Sequence, residues 1–157
     1  MASFKGKETF SLDTKGRVSI PAKMRKSIPT EAENTFHINR GLEKCIFAYP
    51  KNVWDEKYQP QLDKLNQFEP TNRQMLRTML EYSEDVVLDA QQRMTLPKEL
   101  LEFAGIDGKI TVIGMLDHIE FWNPETYEKY INDYENYMKN YDDSYEQIAK
   151  KVMTQQP

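Results

Sequence analysis

The stretch DTKGRVSIP, Asp13 to Pro21, predicts a strand, a tight turn and a second strand. Apolar and polar residues alternate on both sides of the turn, and Asp, Lys and Gly are typical turn residues. A second stretch, DAQQRMTLP from Asp89 to Pro97, repeats the Asp, the Arg four residues later and the Pro four residues after that. This shared spacing indicates that one structural unit occurs twice in the chain.

The duplication extends beyond these turns. GLEKCIFAYPKNVW at 41–54 matches GMLDHIEFWNPETY at 114–127. The spacing between these two segments is three residues shorter than the spacing between the two turns. We assign the difference to one loop insertion around Pro29–Glu33. Each copy therefore reads as a hairpin, a short helix, two strands and a helix.

Short strands in a small sheet leave open edges, and two interleaved copies that close into one barrel would remove them. We therefore predict an α+β fold: a duplicated β-barrel with flanking helices and a long C-terminal helix. The predicted barrel domain spans residues 1–133, with repeats at about 5–55 and 81–128. Residues 134–157 are predicted to form a helical extension.

The charge is unevenly distributed. The chain has a net charge of −4, yet residues 1–30 contain seven basic and two acidic side chains. A basic module on an acidic body is a local footprint for a polyanion such as nucleic acid. From charge alone, a solvated surface is an equal alternative.

The sequence lacks the residue patterns that are typical of several classes of function. No apolar run approaches the ~20 residues that cross a bilayer, and the N-terminus has no apolar signal segment, so we expect a cytoplasmic protein. Cys45 is the only cysteine, and His37 and His118 are the only histidines, so no metal cluster has recognisable spacing. No phosphate-binding loop is present. We predict no enzymatic activity, no cofactor and no small-molecule substrate.

The repeated turns are the candidate site. Arg17 and Arg93 follow turns and should be exposed, and a guanidinium can bind guanine O6 and N7 together. Lys15 should meet phosphate, as could Lys7, Lys23 and Arg25, because phosphate contacts position a protein on DNA. The alternative is a structural Asp–Arg turn without a ligand.

The acidic and amide residues of the turns have other expected roles. Asp13 and Asp89 should hold the turn through backbone N–H groups or orient the Arg, rather than contact bases, because phosphate repels a carboxylate. Gly16 permits the tight turn. Gln91 and Gln92 replace Lys15 and Gly16, and contact with DNA or simple solvation are equal alternatives for them.

The combination of two Asp-x-x-x-Arg turns, each followed by an aliphatic residue and Pro, resembles the MraZ family of bacterial transcriptional regulators. The resemblance covers residues 4 to about 131. The matching segments are FKGKETFSLDTKGRVSIPAKMR, NRGLEKCIFAYPKNVW, NRQMLRTML, DVVLDAQQRMTLPKELLEFAGI and VIGMLDHIEFWNPETY.

The resemblance implies a pseudo-two-fold AbrB-like barrel of the swapped-hairpin, double-psi type. It also implies ring-like homo-oligomers that present the hairpins to double-stranded DNA at G-rich direct repeats. Those repeats would lie upstream of the division and cell-wall gene cluster, and regulation, usually repression, would include the protein's own promoter. A nucleoid-associated location follows. An antitoxin-like AbrB-fold interaction module is the alternative.

The sequence departs from the family pattern where Gln92 replaces the usual Gly. A left-handed Gln would cost on the order of 1–2 kcal/mol unless the turn takes another shape. Arg93 is therefore the less secure DNA contact.

The C-terminal segment carries a seam of apolar and aromatic residues with alternating spacings of four and three. The seam positions are Tyr127, Ile131, Tyr134, Met138, Tyr141, Tyr145, Ile148 and Val152. The first turns, Tyr127 to Tyr134, should cap the protein's own barrel. Residues 134–152 should pack on a neighbouring subunit or another helix.

Overall fold

A computed structural model describes residues 3–140 of the chain, with side chains described up to residue 134. The strands are β1 (Lys7–Ser11), β2 (Arg17–Ser19), β3 (Thr35–Arg40), β4 (Ile46–Pro50), β5 (Glu84–Val87), β6 (Arg93–Thr95), β7 (Lys109–Gly114) and β8 (Ile119–Trp122). The helices are α1 (Ala22–Arg25), α2 (Lys51–Val53), α3 (Gln59–Asp63), α4 (Pro70–Leu80), α5 (Lys98–Ala104) and α6 (Pro124–Asn140). A 3-10 turn covers Thr30–Ala32, and a π-helical turn, Trp54–Tyr58, joins α2 to α3.

The two copies exchange strands. β1 pairs with β7 of the second copy, and its counterpart β5 pairs with β3 of the first. The six-stranded antiparallel sheet therefore has the order β1-β7-β8-β4-β3-β5, which is the same when the copies are interchanged. This exchange confirms the predicted α+β fold with a duplicated swapped hairpin.

The ribbon formed by β2 and β6 is a separate antiparallel ladder. Within the described residues, the strands thus form two ladders, with β1 and β5 at the ends of the larger one, rather than one closed ring of hydrogen bonds. The two ladders separate at the turn between β1 and β2. Asp13 N–H donates to Arg17 O (3.2 Å) across this turn, whereas β1 itself pairs with β7 and β2 with β6.

Strand register corrects the single loop insertion predicted from the sequence. Phe36, opposite β5, and Ile110, opposite β1, hold equivalent positions in the two copies. Their separation in sequence is two residues shorter than the separation of the two turns. Ala48, opposite β3, and Phe121, opposite β7, also hold equivalent positions. Their separation in sequence is shorter by one further residue. The difference between the copies therefore arises in two places: two residues before β3, and one in the turn between β3 and β4.

The core lies between the copies. Among its fully buried side chains are Phe36, Ile38, Ile110 and Phe121, with Met24 from α1 and Leu100 from α5. Gly105 ends α5 in the left-handed conformation (φ 66°), which is a common way for a helix to end. Pro21 and Pro97 lie one position before the helices, at their N-caps.

The region between the copies contains α3 and α4. The chain remains helical through Pro60, because the π-helical turn precedes it and Pro60 stands in the first turn of α3. The apolar side chains of α4 are only partly covered: no residue of α4 is fully buried, and Met75 is 37% exposed.

The chain divides into two compact units, Met1–Pro124 and Glu125–Pro157. The boundary predicted at residue 133 lies within α6. The seam residues Tyr141, Tyr145, Ile148 and Val152 lie outside the described residues. Among the helices that are described, none is long and apolar enough to cross a membrane.

Candidate nucleic-acid interface

The β2–β6 ribbon brings the two predicted arginines together. Val18 and Met94 pair at its centre and are 1% and 0% exposed, so this face of the ribbon packs on the core. Because side chains alternate along a strand, Arg17 and Arg93 share the opposite, outer face. They are diagonal neighbours across the ladder, a relation that separates residues by about 7–8 Å.

The Asp of each turn holds both the backbone and the Arg side chain. Asp13 Oδ1 accepts hydrogen bonds from the backbone N–H groups of Lys15 (2.9 Å) and Arg17 (2.8 Å). Its Oδ2 accepts a hydrogen bond from Arg17 Nε at 2.6 Å. Both carboxylate oxygens are therefore engaged within the turn.

The second turn has the same arrangement. Asp89 Oδ1 accepts from the backbone N–H groups of Gln91 and Arg93, each at 2.9 Å, and Oδ2 accepts from Arg93 Nε at 2.8 Å. The backbone hydrogen bond from Arg93 is the main influence that lowers the pKa of Asp89, and that from Arg17 does the same for Asp13. Both carboxylates thus stay ionised beside their arginines.

The ion pairs leave the outer end of each guanidinium exposed to further contacts. Each hydrogen bond from Arg to Asp uses the Nε of the Arg. No residue in the described part of the chain accepts a hydrogen bond from the terminal nitrogens of Arg17 or Arg93. Each side chain is 29% exposed. The terminal nitrogens are the pair that can address two acceptors on a guanine edge.

Gly16 and Gln92 have equivalent backbone conformations, with φ of 75° and 60°. Gly16 O accepts from Leu96 N–H (2.9 Å), and Gln92 O accepts from Ile20 N–H (3.1 Å). Of the two alternatives for the second turn, the structure has the left-handed Gln and no change of turn shape. The same ribbon geometry is therefore built with a glycine in one copy and a strained glutamine in the other.

The remaining predicted contacts fall into two groups. Lys15 and Gln91 are exposed at the tips of the turns, beside the ribbon. Lys7 and Lys23 form a second group on β1 and α1, where the Lys23 side chain crosses Gly6. Arg25 Nε donates to Ile20 O (2.8 Å), so this side chain also supports the end of the ribbon.

The structure adds two residues that the sequence prediction did not include. Ser19 and Thr95 lie on the same outer face as Arg17 and Arg93. Each stands two residues after an Arg, and strand alternation is the signal that places i and i+2 on one face. Their position opposite the other copy's Arg depends on the strand exchange.

The histidines and the cysteine belong to packed structural clusters. His37 stacks on Trp54 with ring centroids 4.0 Å apart, and burial lowers its pKa although Nδ1 pairs with Asp85 Oδ1 at 2.9 Å. The Cys45 Sγ lies near carboxylates of Glu43 and Glu120. Burial raises the pKa of the Cys45 thiol.

Fold and site together define a duplicated swapped-hairpin protein with one Asp-anchored arginine on each turn. The chain belongs to the MraZ family: the family model described as "MraZ protein, putative antitoxin-like" matches residues 3–78 and again residues 79–152. The double match confirms both the predicted family and the internal repeat.

Curated relatives give the same assignment. A protein of Natranaerobius thermophilus is 32% identical over 150 residues, which cover 96% of each chain. One of Syntrophomonas wolfei is 34% identical over 150 residues, with the same coverage. One of Marinomonas sp. is 33% identical over 132 residues, covering 83% of this chain and 87% of its own. Each is named "Transcriptional regulator MraZ".

Proposed function

We propose that this protein is a DNA-binding transcriptional regulator that recognises specific sequences through its β2–β6 ribbon. The observation that carries the proposal is the placement of Arg17 and Arg93 on one outer face, each fixed through Nε by an Asp. Membership of a family whose curated relatives are named transcriptional regulators supports it. Transcriptional regulators are not an enzyme class.

The ribbon suits the major groove of B-DNA, which admits a two-stranded β-ribbon. Arg17 and Arg93 donate their terminal N–H groups to guanine O6 and N7. Lys15 at the first tip binds phosphate, and Gln91 at the second supplies uncharged donors. Lys7, Lys23 and Arg25 extend the phosphate contacts to the flank of the ribbon. Asp13 and Asp89 act by holding the arginines.

The biological proposal follows the family resemblance. The protein binds G-rich direct repeats upstream of the division and cell-wall gene cluster, including its own promoter, and represses transcription there. It works in the cytoplasm, on the nucleoid, as a homo-oligomeric ring. A ring presents many ribbons to successive repeats, so avidity multiplies the modest affinity of one ribbon.

The test is binding to DNA from upstream of the protein's own gene. We expect Arg17→Ala to lose at least about tenfold in affinity, because one bidentate guanine contact is worth about 1–3 kcal/mol and the loss recurs in every subunit. Arg93→Ala should lose less affinity. The second turn has the uncharged Gln91 where the first has Lys15, so the second turn contributes less of the binding. Fluorescence anisotropy at several salt concentrations measures both, and affinity should fall steeply with salt.

Arg77→Ala is the matched control, because Arg77 is an exposed arginine on α4, away from the ribbon. It should bind the fragment as the wild type does. Unchanged binding by Arg17→Ala would refute the proposed contact surface.

The second candidate is an antitoxin-like interaction module, and the description of the family model favours it. A groove of about 400 Å³ beside α4, lined by Leu42, Met75 and Met79, offers an apolar surface for a protein partner. A stoichiometric small protein that co-purifies with the wild type, and is lost with Met75→Asp while DNA binding persists, would support this alternative.

A further inference from the structure

Thr95 stands directly opposite Arg17 in the ribbon. The neighbouring pair is joined by a hydrogen bond from Leu96 N–H to Gly16 O at 2.9 Å. Antiparallel pairs alternate between hydrogen-bonded and non-hydrogen-bonded types, so Arg17 and Thr95 form a non-hydrogen-bonded pair, the type with the closer side chains. The exposed Thr95 is therefore the nearest cross-strand neighbour of the Arg17 side chain on the outer face.

The outward side chains on each strand are spaced to meet base pairs two steps apart. Residues two apart on a strand are separated by about 6.8 Å, close to two base-pair steps of about 3.4 Å. Ser19 and Thr95 are short, so they reach a base edge only where the ribbon itself lies close to the floor of the groove.

The two halves of the ribbon differ in one respect that bears on bases. Ser19 and Thr95 are equivalent positions of the two copies, and only Thr95 carries a methyl group. The C5-methyl group of thymine is the one apolar feature in the major groove, and the Thr methyl is among its usual contacts.

We propose that Thr95 is a specificity-determining residue, which contacts the C5-methyl group of a thymine next to the guanine bound by Arg17. The inference rests on the proposed function and deepens it. Because Ser19 cannot make this contact beside Arg93, the ribbon distinguishes its two orientations on DNA. A fixed orientation at every site is what direct repeats require, since all repeats point the same way.

The experiment compares two versions of the upstream fragment, one amplified with dTTP and one with dUTP, which lacks only the methyl groups. The wild type should bind the uracil fragment at least about fourfold more weakly, the ratio expected for one buried methyl group. Thr95→Ser removes the protein methyl and keeps the hydroxyl, so it should bind both fragments about equally. Thr95→Val keeps a methyl and should retain the preference.

Two controls isolate the position. Ser19→Ala alters the same face without removing a methyl group, and Thr71→Ser removes one from exposed α4; both should keep the wild-type ratio. A Thr95→Ser protein that still prefers thymine fourfold would overturn the inference, since the methyl groups would then act through DNA shape or another residue. Equal binding of both fragments by the wild type would overturn it as well.

Arg17→Ala separates the two levels of the proposal. If that variant loses both fragments while Thr95→Ser keeps the wild-type ratio, the ribbon binds DNA and only the role of Thr95 is wrong. If Arg17→Ala binds both fragments as the wild type does, the proposed function fails and the inference falls with it.

Discussion

At the residue scale, the two Asp–Arg turns differ most at one backbone position. Gly16 and Gln92 both have positive φ, a conformation that Gly adopts without a Cβ penalty and Gln does not. The turn closes identically around both, with the Asp accepting the same three hydrogen bonds. The contacts of the Asp therefore outweigh the strain at Gln92.

This comparison predicts opposite effects of two substitutions on stability. Gln92→Gly should raise the free energy of unfolding by up to about 1 kcal/mol by relieving the left-handed strain, less the larger chain entropy of Gly. Gly16→Ala should lower it by more than about 1 kcal/mol, because its Cβ would also lie 3.3 Å from Leu96 O. Urea unfolding measures both.

Gly108→Ala is the control that separates backbone strain from contact. Gly108 also has positive φ (81°), but a Cβ there meets nothing within 4 Å. It should cost less than Gly16→Ala, and an equal loss for the two would remove the contact with Leu96 O from the explanation.

At the element scale, strand alternation and turn residues predict each strand but leave its partner undetermined. Asp13 and Arg17 close the same local turn whether β1 and β2 pair with each other or with the other copy. The exchange is decided by long-range packing, which buries Val18 and Met94 against the shared core. For that reason Arg17 and Arg93 were predictable as turn residues, whereas the pairing of Arg17 with Thr95 was not.

The helical region 51–63 is attached to the turn before β8 by Asp117. Its Oδ2 accepts hydrogen bonds from Lys57 Nζ (2.9 Å) and the Tyr58 hydroxyl, and its Oδ1 pairs with His118 Nδ1 (2.9 Å). Burial alone would raise the pKa of Asp117, but hydrogen bonds from His118, Tyr58 and Lys57 outweigh it and lower the pKa to about 2. One carboxylate thus joins two elements that are distant in sequence.

This lowered pKa predicts an acid-dependent stability. The contribution of Asp117 is full above its unfolded pKa of 3.8 and is lost as the pH falls towards about 2. Asp117→Asn should therefore lower the free energy of unfolding by about 1–2 kcal/mol at pH 7, after allowance for solvent screening. About half of that difference should remain at pH 3. Urea unfolding of both proteins at pH 7, 5 and 3 gives the comparison.

Asp63→Asn serves as the matched control, because Asp63 is exposed and accepts a hydrogen bond from Gln59 (2.9 Å) within α3. Its effect should stay within about 0.5 kcal/mol at all three pH values. A difference between the wild type and Asp117→Asn that is the same at pH 7 and pH 3 would contradict the role of the ionised carboxylate.

At the scale of the whole molecule, the ribbon supplies only two arginines per chain, so under the proposed function strong binding to DNA requires several ribbons in one assembly. The seam that begins at Tyr127, Ile131 and Tyr134 continues in sequence to residue 152. On α6, Tyr130 and Tyr134 lie with ring centroids 6.3 Å apart, and Tyr134 is 45% exposed. An exposed aromatic residue at the start of a regular seam is an expected position for contact with a neighbouring subunit.

A chain that ends at Asp133 tests this assembly role. We expect a lower oligomer mass by mass photometry and a lower melting temperature, because the truncation removes the seam from residue 134 onward. In the full chain, Tyr134→Asp should shift the mass in the same direction, since it places a charge on the seam. Asn132→Asp adds the same charge to an exposed position beside the seam and should leave the mass unchanged. If the truncated chain kept the mass and melting temperature of the wild type, assembly would depend on the first unit, Met1–Pro124, and the seam would have another partner.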